Sequence, residues 1–178
     1  YKEINSLSKY KKITTDKFLF NYAYTGYIAT HFYSSKIINC FRHPLDNILS
    51  IYRANFSHSY RYSSSLEDCA RILINKEKVM REYKNRYPFK IYDLDYDRLV
   101  LDPDKEIKNL ISWLKLEWND YYLSPHLNTR EVLTASNIQI RSPINSKSLG
   151  GWKNYKTLLK PAINLLLKNN FSEELINN

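Results

Sequence analysis

Apolar and polar positions along the chain change period several times, and each change marks a boundary between elements. KIINCF, residues 36 to 41, is apolar on nearly every consecutive position and rich in isoleucine. That is the pattern of a short strand covered on both faces in a parallel sheet. From Pro44 the period lengthens, with Leu45, Ile48, Leu49 and Tyr52 falling at i, i+3, i+4 and i+7. This spacing predicts one buried helix face, and Pro44 sits in the first turn, where a missing N–H is tolerated. SLEDCARILINKEKVMREYKNRY (65 to 87) carries Leu66, Ala70, Leu73, Val79 and Tyr83 among charges and opens on Ser65 and Asp68. Ser-x-x-Asp is a capping-box variant, and a helix is predicted. FKIYDLDY (89 to 96) reads as a strand, and DPDKEIKNLISWLKL (102 to 116) as a helix starting on acids that complement its dipole.

The remaining stretches are less regular. KFLFNYAYTGYIATHFY (17 to 33) is long and aromatic enough for a helix buried on much of its surface. From Glu117 to Gly151 the pattern dissolves into a loop containing Pro125, Pro143 and the turn-prone INSKSLGG; when so long a stretch is ordered it is often a lid or binding loop. KTLLKPAINLLLKNNF closes the helical pattern, restarted or kinked at Pro161. Strands alternating with helices define an α/β class with a mostly parallel sheet flanked by helices.

Composition narrows the picture. The 178 residues are 43% hydrophobic and 25% charged, enough for one globular core and far from disorder. No repeat, low-complexity tract or glycine-serine linker divides the chain, so one domain over 1–178 is expected. No apolar run is long enough to span a bilayer, and no membrane partner is expected. Cys40 and Cys69 make neither a disulfide framework nor a zinc spacing, as expected of buried thiols in a reducing, cytoplasmic setting. No metal is expected. Lysine and arginine outnumber aspartate and glutamate 27 to 18, a formal charge of +9, which favours anionic partners; A+T-rich coding would yield the same lysine-rich composition.

The chemistry gathers around Arg42. In open α/β sheets ligands bind beyond the carboxyl ends of strands, where helix N-termini aim amides at anions. Arg42 follows the strand end at once, and Ser50 lies two turns into the helix, so a guanidinium fork and a hydroxyl can meet on one phosphate. The residues alone leave two other readings open, a solvated strand-end arginine and an ordinary exposed serine.

IINCFRHPLDNILSIYR resembles the segment by which sulfotransferases hold the 3'-phosphate of PAPS (3'-phosphoadenosine 5'-phosphosulfate): apolar strand, arginine, proline, then serine eight residues after the arginine. Three further stretches resemble that family in order. TTDKFLFNY is similar to T-D-K-x-P-x-N-F; YDRLVLDPDKEIKNLISWLKL to Y-E-D-L-V-x-D-P and its helix; REVLTASNIQIRSPINSKSLGGW to R-x-V-x-T-A-S-x-x-Q-V-R-x-P-I followed by S-x-x-x-W. The likeness is greatest to bacterial sulfotransferases often joined to tetratricopeptide repeats, themselves similar to tyrosylprotein sulfotransferases.

The resemblance implies a P-loop-like fold and assigns roles by position. Arg42 and Ser50 would take the 3'-phosphate, and Tyr96 would contact the donor. Ser136, Arg141 and Asn145 would belong to the late loop that wraps it. Lys17 would be the catalytic cation on the oxygens of the transferring sulfuryl group, a role that needs no metal. Read without the resemblance, Lys17 is a solvated lysine, Tyr96 a strand tyrosine and Arg141 generic surface charge. His43 stands where relatives have aspartate. The family's opening strand and glycine-serine loop for the 5'-phosphosulfate have no counterpart here, the three glycines being Gly26, Gly150 and Gly151, and no general base is identified. The expectation is therefore a C-terminal portion of a sulfotransferase domain that lacks its first strand and loop and turns over poorly alone. Its donor substrate would be PAPS, its product PAP, and its acceptor a hydroxyl on a protein tyrosine, a glycan or a small molecule. The rival is a non-catalytic nucleotide- or protein-binding module of the same fold. A nucleic-acid partner is not expected, since no reader motif accompanies the charge.

Overall fold

The computed structural model describes residues 13–54, 56, 58–129 and 141–172. The elements in chain order are α1 (Thr25–His31), β1 (Ile37–Phe41), α2 (Pro44–Ala54), α3 (Leu66–Arg86), β2 (Ile91–Asp95), α4 (Tyr96–Leu101), α5 (Pro103–Leu114) and α6 (Lys160–Lys168), with short 3-10 turns between them.

β1 and β2 pair in parallel, in a register running from Ile37 opposite Ile91 to Phe41 opposite Asp95. Two parallel strands joined through α2 and α3 make an α/β arrangement, as the alternation of periods predicts. In this register both strands stop at the same level, so the residues that leave them, Arg42 and Tyr96, emerge side by side.

The core lies where α2, α3 and α6 meet. Leu45, Ile48 and Leu49 of α2 pack with Leu66, Cys69, Ala70, Leu73 and Ile74 of α3, with Leu159, Ala162 and Leu166 at α6, and with Trp152. Each fully buried leucine of this set contributes roughly 1.5–3 kcal/mol by leaving water, so the orientation of α2 is firmly set. α3 begins as its capping signal requires: Ser65 Oγ accepts the Asp68 N–H at 3.2 Å. Only half of the box forms, because the Ser65 N–H is already donated to the Tyr62 carbonyl.

Several expectations need correction. The segment 17–33 is not one helix: a 3-10 turn covers Asn21–Tyr24 and the α-helix spans Thr25–His31. Its aromatic residues do not form a stripe; Phe20 instead stacks on Tyr60 at 5.8 Å and meets Tyr62 edge-on at 6.0 Å, contacts that hold the chain out of helical register. β1 is not covered on both faces, since Ile38 is 39% exposed and Cys40 is exposed. Cover on that face centres on β2, where Tyr92 packs against Trp113 of α5 at 5.2 Å.

The third correction moves a site residue. Tyr96 is not in a strand: Asp95 accepts the N–H groups of Asp97 at 2.9 Å and Arg98 at 3.3 Å, capping a new helix, α4, that begins at Tyr96. Asp102 then caps α5 separately. The pattern-free stretch after α5 contains 3-10 turns at Asp120–Leu123 and Pro125–Leu127, and another spans Gly151–Tyr155. Pro161 does restart the chain, at the first turn of α6.

Candidate functional site

Arg42 stands at the carboxyl end of β1 with its side chain 17% exposed. Three groups hold its guanidinium. Nη2 donates to the Ser148 carbonyl oxygen at 2.7 Å, Asp46 Oδ2 lies 3.7 Å from Nη2, and the Tyr96 ring centroid is 5.1 Å from Cζ. Tyr96 also reaches the same loop residue, its hydroxyl 3.3 Å from Ser148 Oγ. Arginine, the residue after the partner strand, and a loop more than a hundred residues away thus meet at one point. Arg42 Nε is buried there without a partner, which leaves one edge of a preoriented fork unused.

The start of α2 departs from the expected row of amides aimed at an anion. The His43 N–H is donated to Asp97 Oδ2 at 2.7 Å, and the Leu45 N–H to His43 Nδ1 at 3.3 Å. The imidazole therefore caps the helix much as an aspartate would, which places its ring proton on Nε2. It also stacks on Trp152, centroids 5.0 Å apart and planes 10° from parallel. These two contacts account for a histidine at this position. With those amides taken, the guanidinium is a cationic group left at this strand end. A cavity of about 180 Å³ is lined by His43, Asp46, Asp97, Trp152, Lys153 and the Leu149–Gly150 stretch, and Asp97 Oδ1 is buried without a partner.

The other sequence-derived residues are placed as follows. Ser50 is exposed on α2, one turn beyond Asp46 on the same helix face. Asn145 serves its own turn: Nδ2 donates to the Pro143 carbonyl at 2.9 Å and Oδ1 accepts the Lys147 N–H at 3.2 Å. Arg141 is exposed and donates to the Asn128 carbonyl. Lys17 is exposed in the coil before the first 3-10 turn and takes no part in the Arg42 cluster. Ser136 lies outside the described residues. Among the described residues no group of three or more His, Cys, Asp or Glu side chains could hold a metal ion, and no helix is long and apolar enough to cross a membrane.

Asp46 and Asp97 belong to the site although sequence reasoning assigned them no role, as do Ser148 and Gly150, which it placed only in the turn-prone INSKSLGG stretch, Ser148 being the serine of S-x-x-x-W. Asp46 had a visible signal, its i+4 spacing from Arg42. Gly150 had another, the Gly-Gly pair of a turn-prone stretch; its φ of 66° is a left-handed conformation that glycine adopts without strain.

A strand-end arginine is locked between a following helix, a parallel neighbour and a returning loop in an α/β protein. Residues 1–120 match the model of the Sulfotransferase family, and the chain belongs to that family. The match includes Lys17, Arg42, Ser50 and Tyr96 and stops before the returning loop. The chain is also 32% identical over 154 residues to an uncharacterized protein of Aquifex aeolicus (strain VF5), covering 85% of this chain and 20% of that protein. It thus spans about a fifth of the length of this relative.

Proposed function

We propose that the chain is the donor-binding portion of a PAPS-dependent sulfotransferase, with Arg42 as the residue that grips the 3'-phosphate. One observation carries this reading: Arg42 Nε is buried and unpartnered on a guanidinium whose orientation is already set by Ser148, Asp46 and Tyr96. A planar fork with a spare N–H beside a held Nη2 suits the oxygens of a phosphate. Ser50 adds a hydroxyl from the exposed face of α2, Tyr96 borders the site through its ring, and Ser136, Arg141 and Asn145 belong to the loop that encloses the donor.

The donor supplies the sulfuryl group; the chain's residues bind it, orient it and offset charge. Lys17 offsets negative charge on the bridging and equatorial oxygens of the transferring sulfuryl group, where fixed positive charge lowers the barrier. The acceptor in this reading is a hydroxyl of a protein tyrosine, a glycan or a small molecule. In this reading the domain is P-loop-like.

PAP tests the reading without turnover. A ligand at a hundred times its Kd stabilises a fold by about 2.7 kcal/mol. For a domain of this size that raises Tm by roughly 5–10 °C. The expected result is such a shift in the wild-type chain and none in Arg42→Ala. No shift at saturating PAP in the wild type rejects the proposal.

A further inference from the structure

We infer that Asp46 is a positioning residue for the donor, a carboxylate latch that fastens the 148–152 loop over Arg42; this rests on the reading of Arg42 as the phosphate-binding residue. Asp46 is 4% exposed, and a carboxylate so deeply placed persists only when its oxygens are well bonded. Both are. Oδ2 accepts the Gly150 N–H at 2.7 Å and Oδ1 accepts the Trp152 N–H at 2.9 Å, while Arg42 Nη2 stands 3.7 Å from Oδ2. One side chain of α2 thereby fixes two backbone positions of a loop 104 and 106 residues away.

The loop so fixed is the one that supplies the Ser148 carbonyl to Arg42 and the Ser148 hydroxyl to Tyr96. Gly150 turns through its left-handed φ of 66°, sending the chain back so that alternate N–H groups face the carboxylate. Trp152, 2% exposed, then plugs the core and carries the His43 ring. Asp46 is assigned no contact with the nucleotide; it acts through Arg42, 3.7 Å from its Oδ2, and through the loop.

The latch makes a prediction opposite in sign to plain electrostatics. Removing a negative charge 3.7 Å from the phosphate-binding arginine should tighten binding of an anion if charge alone decided the outcome. If Asp46 holds the loop, its loss weakens binding instead. Asparagine cannot substitute, because it keeps one acceptor and turns an NH₂ donor against the second N–H.

The experiment is calorimetric titration of PAP into the wild-type chain and Asp46→Asn, at a temperature where circular dichroism shows both folded. The expected result is a Kd at least about tenfold higher in Asp46→Asn, the scale of one lost charge-assisted hydrogen bond. Equal or tighter binding overturns the latch. A measurement on the wild type alone covers the case of a variant that does not fold: amide exchange at Gly150 and Trp152 is expected to be at least about a hundredfold slower than in an unstructured peptide. Exchange at the unstructured rate overturns the latch as well. A wild-type chain that fails to bind PAP overturns the nucleotide reading and this inference together, whereas wild-type binding with an unchanged Asp46→Asn overturns this inference only.

Discussion

Raising the pH should loosen the core beneath the site through one thiol. Cys69 is fully buried at the start of α3, in the cluster that fixes α2, and its Sγ donates to the Tyr62 carbonyl at 3.3 Å. Only the neutral thiol can make that bond. Burial pushes its pKa from 9.0 up to about 11, with the Asp68 carboxylate adding to the rise. Above pH 9 the unfolded chain has released this proton and the folded chain has kept it. Stability is therefore fully present below that point and is lost as pH climbs towards 11. Two units correspond to at most about 2.7 kcal/mol, or about 1–2 kcal/mol after a discount for solvent screening. The assay is urea unfolding, followed by tryptophan fluorescence, at about pH 8 and about pH 10.5 for wild type and Cys69→Ala. Titration of the lysines and of the other tyrosines is common to both proteins, so the difference between the two pH-dependent losses reports Cys69 together with its coupling to Tyr62. Wild type should lose about 1–2 kcal/mol more than Cys69→Ala. Equal losses would refute the account of the thiol. The Tyr62 phenol, raised by burial and then by Cys69, Tyr60 and Tyr22, has the same sign at higher pH, so Tyr62→Phe should flatten the alkaline limb further.

Three more outcomes are expected. In Gly26→Ala a new Cβ would stand 2.7–2.9 Å from the Tyr83 ring; the overpacking, about 1–3 kcal/mol, outweighs a helix-propensity gain of about 0.5–1 kcal/mol. Net destabilisation by urea unfolding, relieved when Tyr83→Leu is added, checks this. Arg42→Lys keeps the charge but loses the planar fork, so PAP should bind roughly 10–100-fold more weakly by calorimetry; wild-type affinity would show that a point charge suffices. Lys17→Ala should change PAP affinity by less than about fivefold, the reach of an exposed charge, because PAP has no sulfuryl group; a larger loss would place Lys17 on the phosphates instead.

The segment from β1 into α2 is legible in the sequence because its information is local: the switch from a largely apolar run at 37–41 to helical spacing after Pro44 lies in adjacent residues. α4 is not, because IYDLDY keeps its alternation through Tyr96 while the Asp95 side chain, bonding two N–H groups ahead, ends the strand. The aromatic run at 18–22 misleads for the opposite reason; its partners Tyr60 and Tyr62 are forty residues distant and their pull is invisible to a periodicity. At the site, Arg42 and Tyr96 are readable from motif resemblance. The Asp46 contacts with Gly150 and Trp152 span over a hundred residues, a separation at which local pattern carries no register. His43, unexplained as a departure from aspartate, becomes intelligible once its ring is seen to cap α2 and lie on Trp152.

The central claim is that Arg42 grips the 3'-phosphate, and phosphorus NMR of PAP reads that phosphate directly, because its 3'- and 5'-phosphates give separate resonances. With wild-type chain added, the 3'-resonance should shift and broaden, and with Arg42→Ala it should stay at its free position. A 3'-resonance unmoved by the wild-type chain, or moved equally by Arg42→Ala, would contradict the claim.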